Sequence, residues 1–157
     1  MSEPSIKQTE PMTVAFIAMS GSYQQIPLAM GILYSWVSGR GLEAVGMPMG
    51  VYLTDPASAP ESEAIWEVWA PVADDVEESG PDAKGLGIKK LPAMTVASVL
   101  HHGPYESIGP TYEALGAWAV EQGYLVAGPP REVYMSDPAT VPPEKYLTEV
   151  QFPVQKT

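Results

Sequence analysis

The chain has 157 residues, a net charge of -11 at neutral pH and no cysteine. The charge argues against a nucleic-acid partner, because phosphate binding requires Lys and Arg side chains that displace counterions. The lack of cysteine excludes disulfides and thiolate metal sites. No apolar run is long enough to cross a bilayer, and residues 1–12 are too polar for a signal peptide. We therefore expect a cytoplasmic protein with no metal, no cofactor, no membrane contact and no direct nucleic-acid contact.

An internal repeat dominates the sequence. Residues 13–72 align without a gap with residues 95–154, at an offset of 82 positions. About a third of the pairs are identical, where composition alone gives roughly one in fifteen. The matched strings are TVAFIAMSGSY with TVASVLHHGPY, VYLTDPA with VYMSDPA, and IWEVWAPV with LTEVQFPV. The match predicts two copies of one supersecondary unit, which is too few for a solenoid.

In chain order, the first copy predicts a strand, a helix and two further strands. The apolar run at 13–19 indicates a strand, and Gly21-Ser22 ends it. The helix follows from the three- and four-residue spacing of Ile26, Met30, Leu33 and Trp36, with Pro27 in its first turn. Residues 50–54 and 64–70 complete the copy as strands.

The second copy repeats this order with strands at 94–101, 131–136 and 146–152. Residues 73–94 have the acids, Gly and Pro of a mobile linker, and residues 1–12 are expected to be a frayed lead-in. We predict one domain over 1–157, with module one at 13–72, the linker at 73–94 and module two at 95–154. The expected class is α+β: two β-α-β-β modules related by a pseudo-twofold axis, with antiparallel sheets, helices on one side and a ligand cleft between the modules.

One glutamate on the closing strand of each copy stands out as a candidate ligand contact. Side chains alternate along a strand, so Glu149 shares a face with Leu147 and Gln151, and Glu67 shares one with Ile65 and Trp69. The other, apolar face of each strand is expected to meet the helices. A carboxylate with apolar and aromatic neighbours suits an organic cation, because the carboxylate attracts the charge and aromatic rings add cation–π contact. Partial burial is expected to raise the pKa of Glu149. An exposed, salt-bridged glutamate is the alternative for both positions.

Tyr52 and Tyr134 are matched by the repeat and lie on the strands next to the glutamates. They are either hydrogen-bond donors that line the cleft or aromatic residues that pack the sheet.

Several of these residues carry a resemblance to a known family. The string His102-Gly103-Pro104-Tyr105-Glu106, the helix with Leu115 and Trp118, the strand Glu132-Val133-Tyr134 and the closing residues 148–154 resemble the GyrI-like family. That family includes the effector-binding domains of multidrug-responsive bacterial transcription activators. The resemblance implies two modules with a small-molecule cleft, and a closing-strand glutamate that contacts cationic drugs. Glu149 matches that glutamate.

The resemblance leaves three hypotheses for function. The chain has neither the length nor the charge for a helix-turn-helix region, so it resembles a stand-alone member that binds hydrophobic, cationic small molecules through Glu149, Glu67, Tyr134, Trp69, Tyr52, Leu147 and Ile65. Some such members are similar to hydrolases that open electrophilic cyclopropanes, with Glu149 activating water and Tyr134 as proton donor. Others resemble gyrase inhibitors, whose protein partner would meet acids such as Asp74, Asp75, Glu77 and Glu78.

Overall fold

The computed structural model describes residues 3–54, 60–137 and 139–157. These residues form two compact units, which we name after their glutamates. The Glu67 unit comprises residues 10–93, and the Glu149 unit comprises residues 3–9 with 94–157. In chain order the elements are β1 (Ser5–Gln8), β2 (Met12–Ser20), α1 (Ile26–Gly39), β3 (Met49–Tyr52), β4 (Ile65–Val72), β5 (Leu86–Leu91), β6 (Thr95–His102), α2 (Gly109–Glu121), β7 (Tyr124–Val126), β8 (Arg131–Tyr134) and β9 (Leu147–Lys156).

The Glu67 unit is an antiparallel sheet in the order β3-β4-β2-β5, with α1 on one face. Pro27 lies in the first turn of α1, where its missing N–H costs no helical hydrogen bond. The helix buries its apolar stripe against alternate residues of the sheet. This core contains Ala15, Ile17, Ala29, Leu33, Val37, Trp66, Val68 and Ala70.

The Glu149 unit has the equivalent sheet in the order β1-β6-β9-β8, with β7 paired to the far end of β9. Its helix, α2, also carries a proline in the first turn and covers one face. The core beneath it contains Ala97, Val99, Leu115, Ala119, Val150 and Phe152. The expected α+β class, the antiparallel sheets and the one-sided helices are therefore confirmed within each unit.

The repeat begins earlier in the chain than the sequence analysis placed it. Strand β5 lies 82 residues after β1, and the pairs Ile6/Ile88 and Lys7/Lys89 keep the offset. The expected linker at 73–94 and the expected frayed lead-in at 1–12 are corrected here, because each contains a hydrogen-bonded strand. The copies exchange these strands: β1 pairs with β6 of the second copy, and β5 pairs with β2 of the first.

Glycines with positive φ stand at matching places in the two copies. Gly41 follows α1 with φ of 71°, and Gly123 follows α2 with φ of 86°. A left-handed residue after a helix allows the chain to turn back, and glycine adopts it without a steric cost. The repeat therefore preserves the turn chemistry as well as the apolar pattern. Within the described residues, neither helix is long and apolar enough to span a membrane.

Candidate functional site

Glu67 and Glu149 both lie on the sheet face that points away from the helix of their unit. Directly opposite residues in antiparallel strands share a face. Glu67 lies between Ala18 and Val51, while its chain neighbours Trp66 and Val68 belong to the helix-side core. Glu149 lies between Leu100 and Val133 in the same way. The alternation read from the sequence is thus confirmed for both glutamates.

The Glu67 carboxylate holds an ammonium inside an aromatic environment. Lys89 Nζ lies 2.5 Å from Glu67 Oε1, and the Trp69 indole N–H donates to the same oxygen at 2.7 Å. The ammonium also lies over two rings, 4.6 Å from the centre of Phe16 and 5.2 Å from the centre of Trp69. The carboxylate supplies the counter-charge and the rings add cation–π attraction. This unit therefore contains a complete cation site that its own lysine occupies.

The Glu149 carboxylate holds the equivalent ammonium in polar surroundings. Lys7 Nζ lies 2.5 Å from Glu149 Oε2, and Gln151 Nε2 donates to that oxygen at 2.7 Å. Ser98 is a further hydrogen-bond donor to the carboxylate. The Glu149 side chain is 13% exposed, whereas the Lys7 side chain is 44% exposed. A largely buried carboxylate here meets a lysine that reaches it from the solvent side.

The pKa of Glu149 lies below its ordinary value, which corrects the expectation of a raised pKa. Desolvation is the largest single influence and acts to raise the pKa. Hydrogen bonds from Lys7, Gln151 and Ser98 and the Coulombic attraction of Lys7 together outweigh it. The expectation of a raised pKa followed from burial alone, because these donors were not predicted from the sequence. Glu149 is consequently an ionised counter-charge at neutral pH rather than a proton donor.

Matched positions in the two units differ in chemistry. Gln151 stands where the first copy has Trp69, Ser98 where it has Phe16, and Arg131 where it has Met49. Arg131 is buried, its pKa is lowered by desolvation, and it donates to Met94 Sδ at 2.9 Å. The same backbone thus presents an aromatic environment in one unit and a hydrogen-bonding environment in the other.

The two candidate tyrosines lie on the opposite sheet face from the glutamates. Tyr134 is directly opposite Thr148, and Tyr52 is directly opposite Trp66. Their rings contact other tyrosines, at 5.9 Å between the centres of Tyr134 and Tyr105 and at 5.4 Å between Tyr52 and Tyr23. The structure therefore does not bring either tyrosine together with the glutamate of its unit.

The remaining candidate residues share the glutamate face. Trp69 contacts Glu67 directly, as described above. Ile65 is 48% exposed at the start of β4, and Leu147 is partly buried at the start of β9. A surface cavity of about 290 Å³ in the Glu67 unit is lined by Leu42, Val45, Val72 and Val76 and contains none of the predicted site residues.

The residues that give each glutamate its environment were not predicted from the sequence. These are Lys7, Ser98 and Gln151 beside Glu149, and Lys89 and Phe16 beside Glu67. The repeat itself carried the signal for the lysines, because the dipeptide Ile-Lys recurs at 6–7 and 88–89. No three acidic or histidine side chains in the described part of the chain are grouped to hold a metal ion.

Comparison with known proteins assigns the chain to a family. No curated protein matches its sequence. The C-terminal domain of EcmrR is 24% identical, with 99% of this chain and 98% of that chain covered and a TM-score of 0.84. In the EcmrR–DNA complex the identity is 23%, the TM-score is 0.84, and 99% of this chain spans 58% of that chain.

Two further structures extend the comparison. A hydrolase from Listeria innocua is 17% identical, with 98% and 92% coverage and a TM-score of 0.73. SAV2435 bound to tetraphenylphosphonium is 15% identical, with 98% and 94% coverage and a TM-score of 0.57. At these identities the structures show a shared fold. The model of the GyrI-like small molecule binding domain matches residues 2–155. The chain therefore belongs to the GyrI-like family of small-molecule-binding domains.

Proposed function

We propose that the chain binds an organic cation and that Glu149 is the counter-charge. One observation carries the proposal: a largely buried, ionised carboxylate already holds the ammonium of Lys7 at 2.5 Å. Many organic cations present an ammonium, so this contact with the chain's own side chain supports the proposal. The tetraphenylphosphonium bound to SAV2435 supports the proposal, since it is an organic cation in a related fold.

Glu149, rather than Glu67, is the carboxylate that we assign to the ligand. Lys89 lies between Glu67 and two aromatic rings, and it extends from a six-residue strand. Lys7 has no aromatic ring in the place of Phe16 or Trp69, and its strand has four residues. An incoming cation displaces the more exposed lysine at the smaller cost, because that lysine regains full hydration in water. Leu147 is the apolar neighbour on the same face that we assign to the ligand's hydrocarbon.

Titration calorimetry with a panel of aromatic amines and quaternary ammonium ions tests this assignment. We expect Glu149→Gln to abolish measurable binding, because the neutral amide keeps the shape but removes the charge. Glu144→Gln, on an exposed turn, is the matched control and is expected to bind as the wild type does. Binding that survives Glu149→Gln but is lost in Glu67→Gln would move the site to the other unit and contradict the proposal.

The geometry does not favour the hydrolase mechanism considered for this chain. Tyr134 and Glu149 lie on opposite faces of the sheet, so they do not act together on one substrate. A carboxylate with a lowered pKa is also a weak general base. Turnover of cyclopropane-bearing alkylators and inhibition of gyrase both stay untested hypotheses. The acids at 74, 75, 77 and 78, on which the interaction hypothesis depends, are exposed.

A further inference from the structure

The side-chain amide of Gln151 forms a hydrogen bond through its nitrogen but none through its oxygen. Gln151 is 6% exposed, and its Nε2 donates to Glu149 Oε2 at 2.7 Å. Its Oε1 is buried and has no hydrogen-bond partner in the described structure. Exchanging Oε1 and Nε2 by a half-turn of the amide would not supply the missing hydrogen bond, because it would place the amide oxygen against a carboxylate oxygen of Glu149. The site therefore holds a buried acceptor that needs an N–H or O–H donor.

The donor must come from a group that sits beside the Glu149 carboxylate. Gln151 is adjacent to Glu149 on the same face of β9, and Ser98 and Arg131 are its cross-strand neighbours. Ser98 already acts as a hydrogen-bond donor to Glu149. Arg131 is a second cation on this face, and it would repel a ligand that increased the positive charge of the site. A ligand ammonium that takes the place of the Lys7 ammonium leaves the charge beside Arg131 unchanged.

The aromatic contribution to cation binding is absent at the matched positions of this unit. In the Glu67 unit, Phe16 and Trp69 face the ammonium of Lys89. Ser98 and Gln151 replace those rings in the Glu149 unit. A quaternary ammonium or phosphonium has no N–H and depends on ring faces and dispersion for its binding. In the place of those ring faces the Glu149 unit has the Ser98 hydroxyl and the Gln151 amide, whose Oε1 is a hydrogen-bond acceptor.

We propose, on the basis of the function assigned above, that the ligand of Glu149 is a cation that carries N–H groups, such as a protonated amine or an amidinium, and that Gln151 Oε1 is its second acceptor. One N–H of the ligand pairs with the Glu149 carboxylate once Lys7 has left, and another pairs with Gln151 Oε1, which the Lys7 ammonium leaves unpaired. Permanently quaternary cations leave this acceptor buried and unpaired. The residue pair Glu149 and Gln151 thus determines specificity within the class of organic cations.

A matched pair of probes tests the proposal by titration calorimetry at neutral pH. The probes are 2-phenylethylammonium and its N,N,N-trimethyl derivative, which share the ring, the linker and the charge. We expect the primary ammonium to bind at least about tenfold more tightly, because only it pairs the buried acceptor. Equal or tighter binding of the trimethyl compound would overturn this inference and leave the proposed function intact. If neither probe binds, the proposed function and the inference both fail.

Substitutions at two positions separate hydrogen bonding from the larger size of the trimethyl group. Gln151→Leu nearly retains the volume but removes the acceptor, together with the N–H bond to Glu149, whose loss affects both probes alike. We therefore expect the preference for the primary ammonium to fall toward unity. A preference that persists undiminished in Gln151→Leu would be steric and would contradict the role of Oε1. Lys7→Met removes the competing ammonium and is expected to tighten binding of the primary ammonium several-fold. Lys145→Met, on an exposed turn, is the control and is expected to leave affinity unchanged. Unchanged affinity in Lys7→Met would show that the ligand does not replace Lys7.

Discussion

The two glutamate–lysine pairs allow one interaction to be compared in two environments on the same backbone. Glu149 follows Glu67 by 82 residues, and Lys89 follows Lys7 by the same number. In each pair the ammonium nitrogen lies 2.5 Å from a carboxylate oxygen. In the Glu67 unit, two aromatic rings contact the ammonium. In the Glu149 unit, a hydroxyl and an amide take their places, and the lysine is more exposed.

Under our proposal, this difference separates a structural ion pair at Glu67 from a recognition site at Glu149. Cation–π contacts contribute about 0.5–2 kcal/mol each, so Lys89 is held by more than its carboxylate. Among the residues that the structure describes, Lys7 contacts the Glu149 carboxylate and no aromatic ring, and its strand lies at the edge of the sheet. After duplication, one copy can keep the ion pair packed against aromatic rings. Substitutions in the other copy can remove those rings, so that an external cation can replace the lysine at the carboxylate.

The largest expected effect comes from placing the second copy's residue in the first. Trp69→Gln should lower the free energy of unfolding by about 3–4 kcal/mol, because it removes a buried ring and its bond to Glu67. Urea denaturation measures the change. Gln151→Leu at the matched position is the control and should change stability by less than about 1 kcal/mol, because removing the buried unpaired acceptor offsets the loss of the N–H bond to Glu149. Similar losses in both variants would show that the two environments do not differ in energy.

Neutralising each glutamate should lower the free energy of unfolding by a smaller amount, again more at Glu67 than at Glu149. Glu67→Gln leaves the Lys89 ammonium between aromatic rings without a counter-charge, and we expect a loss of about 1–3 kcal/mol. Glu149→Gln should cost about 1 kcal/mol or less, because Lys7 can turn into solvent. The double variant Glu67→Gln/Lys89→Met should recover part of the first loss in urea denaturation. A larger cost at Glu149 than at Glu67 would reverse our assignment of the structural pair.

The pH dependence of stability tests the state of Glu149. Its pKa is lower in the folded chain than in the unfolded chain, so its ionisation stabilises the fold at neutral pH. That contribution is complete above the ordinary carboxyl pKa and disappears as pH falls through the lowered value. The stability difference between wild type and Glu149→Gln should therefore shrink in acid, as followed by urea denaturation at a series of pH values. A difference that grows as pH falls below the ordinary value would indicate a raised pKa.

The sequence was a good guide to the repeated elements and to the faces of the closing strands. Two-residue alternation placed Glu67 and Glu149 opposite the helix-side core, because the apolar residues Trp66, Val68 and Val150 had only one place to be buried. The spacing of apolar residues predicted both helices, and the proline in the first turn of each was consistent with that prediction.

The partners of the glutamates were not predictable from local pattern. Lys7 and Lys89 lie on edge strands that hydrogen-bond outside their own copy, and a four-residue strand has little periodicity of its own. The register between β8 and β9 also decided that Tyr134 faces away from Glu149, and a shift of one residue would have reversed this. Because these donors were missed, the direction of the Glu149 pKa shift was predicted wrongly.

Hydrogen exchange of the two exchanged strands gives the smallest and most local test of the comparison. Strand β5 has six residues, and Ile88 exchanges backbone hydrogen bonds with Ser79 beyond its pairing with β2. Strand β1 has four residues and pairs with β6 on one side. Because short edge strands open more often than supported ones, the hydrogen-bonded amides of β1 should exchange at least about tenfold faster than those of β5. Equal protection would mean that Lys7 is held as firmly as Lys89, and a ligand could then not displace it by opening β1.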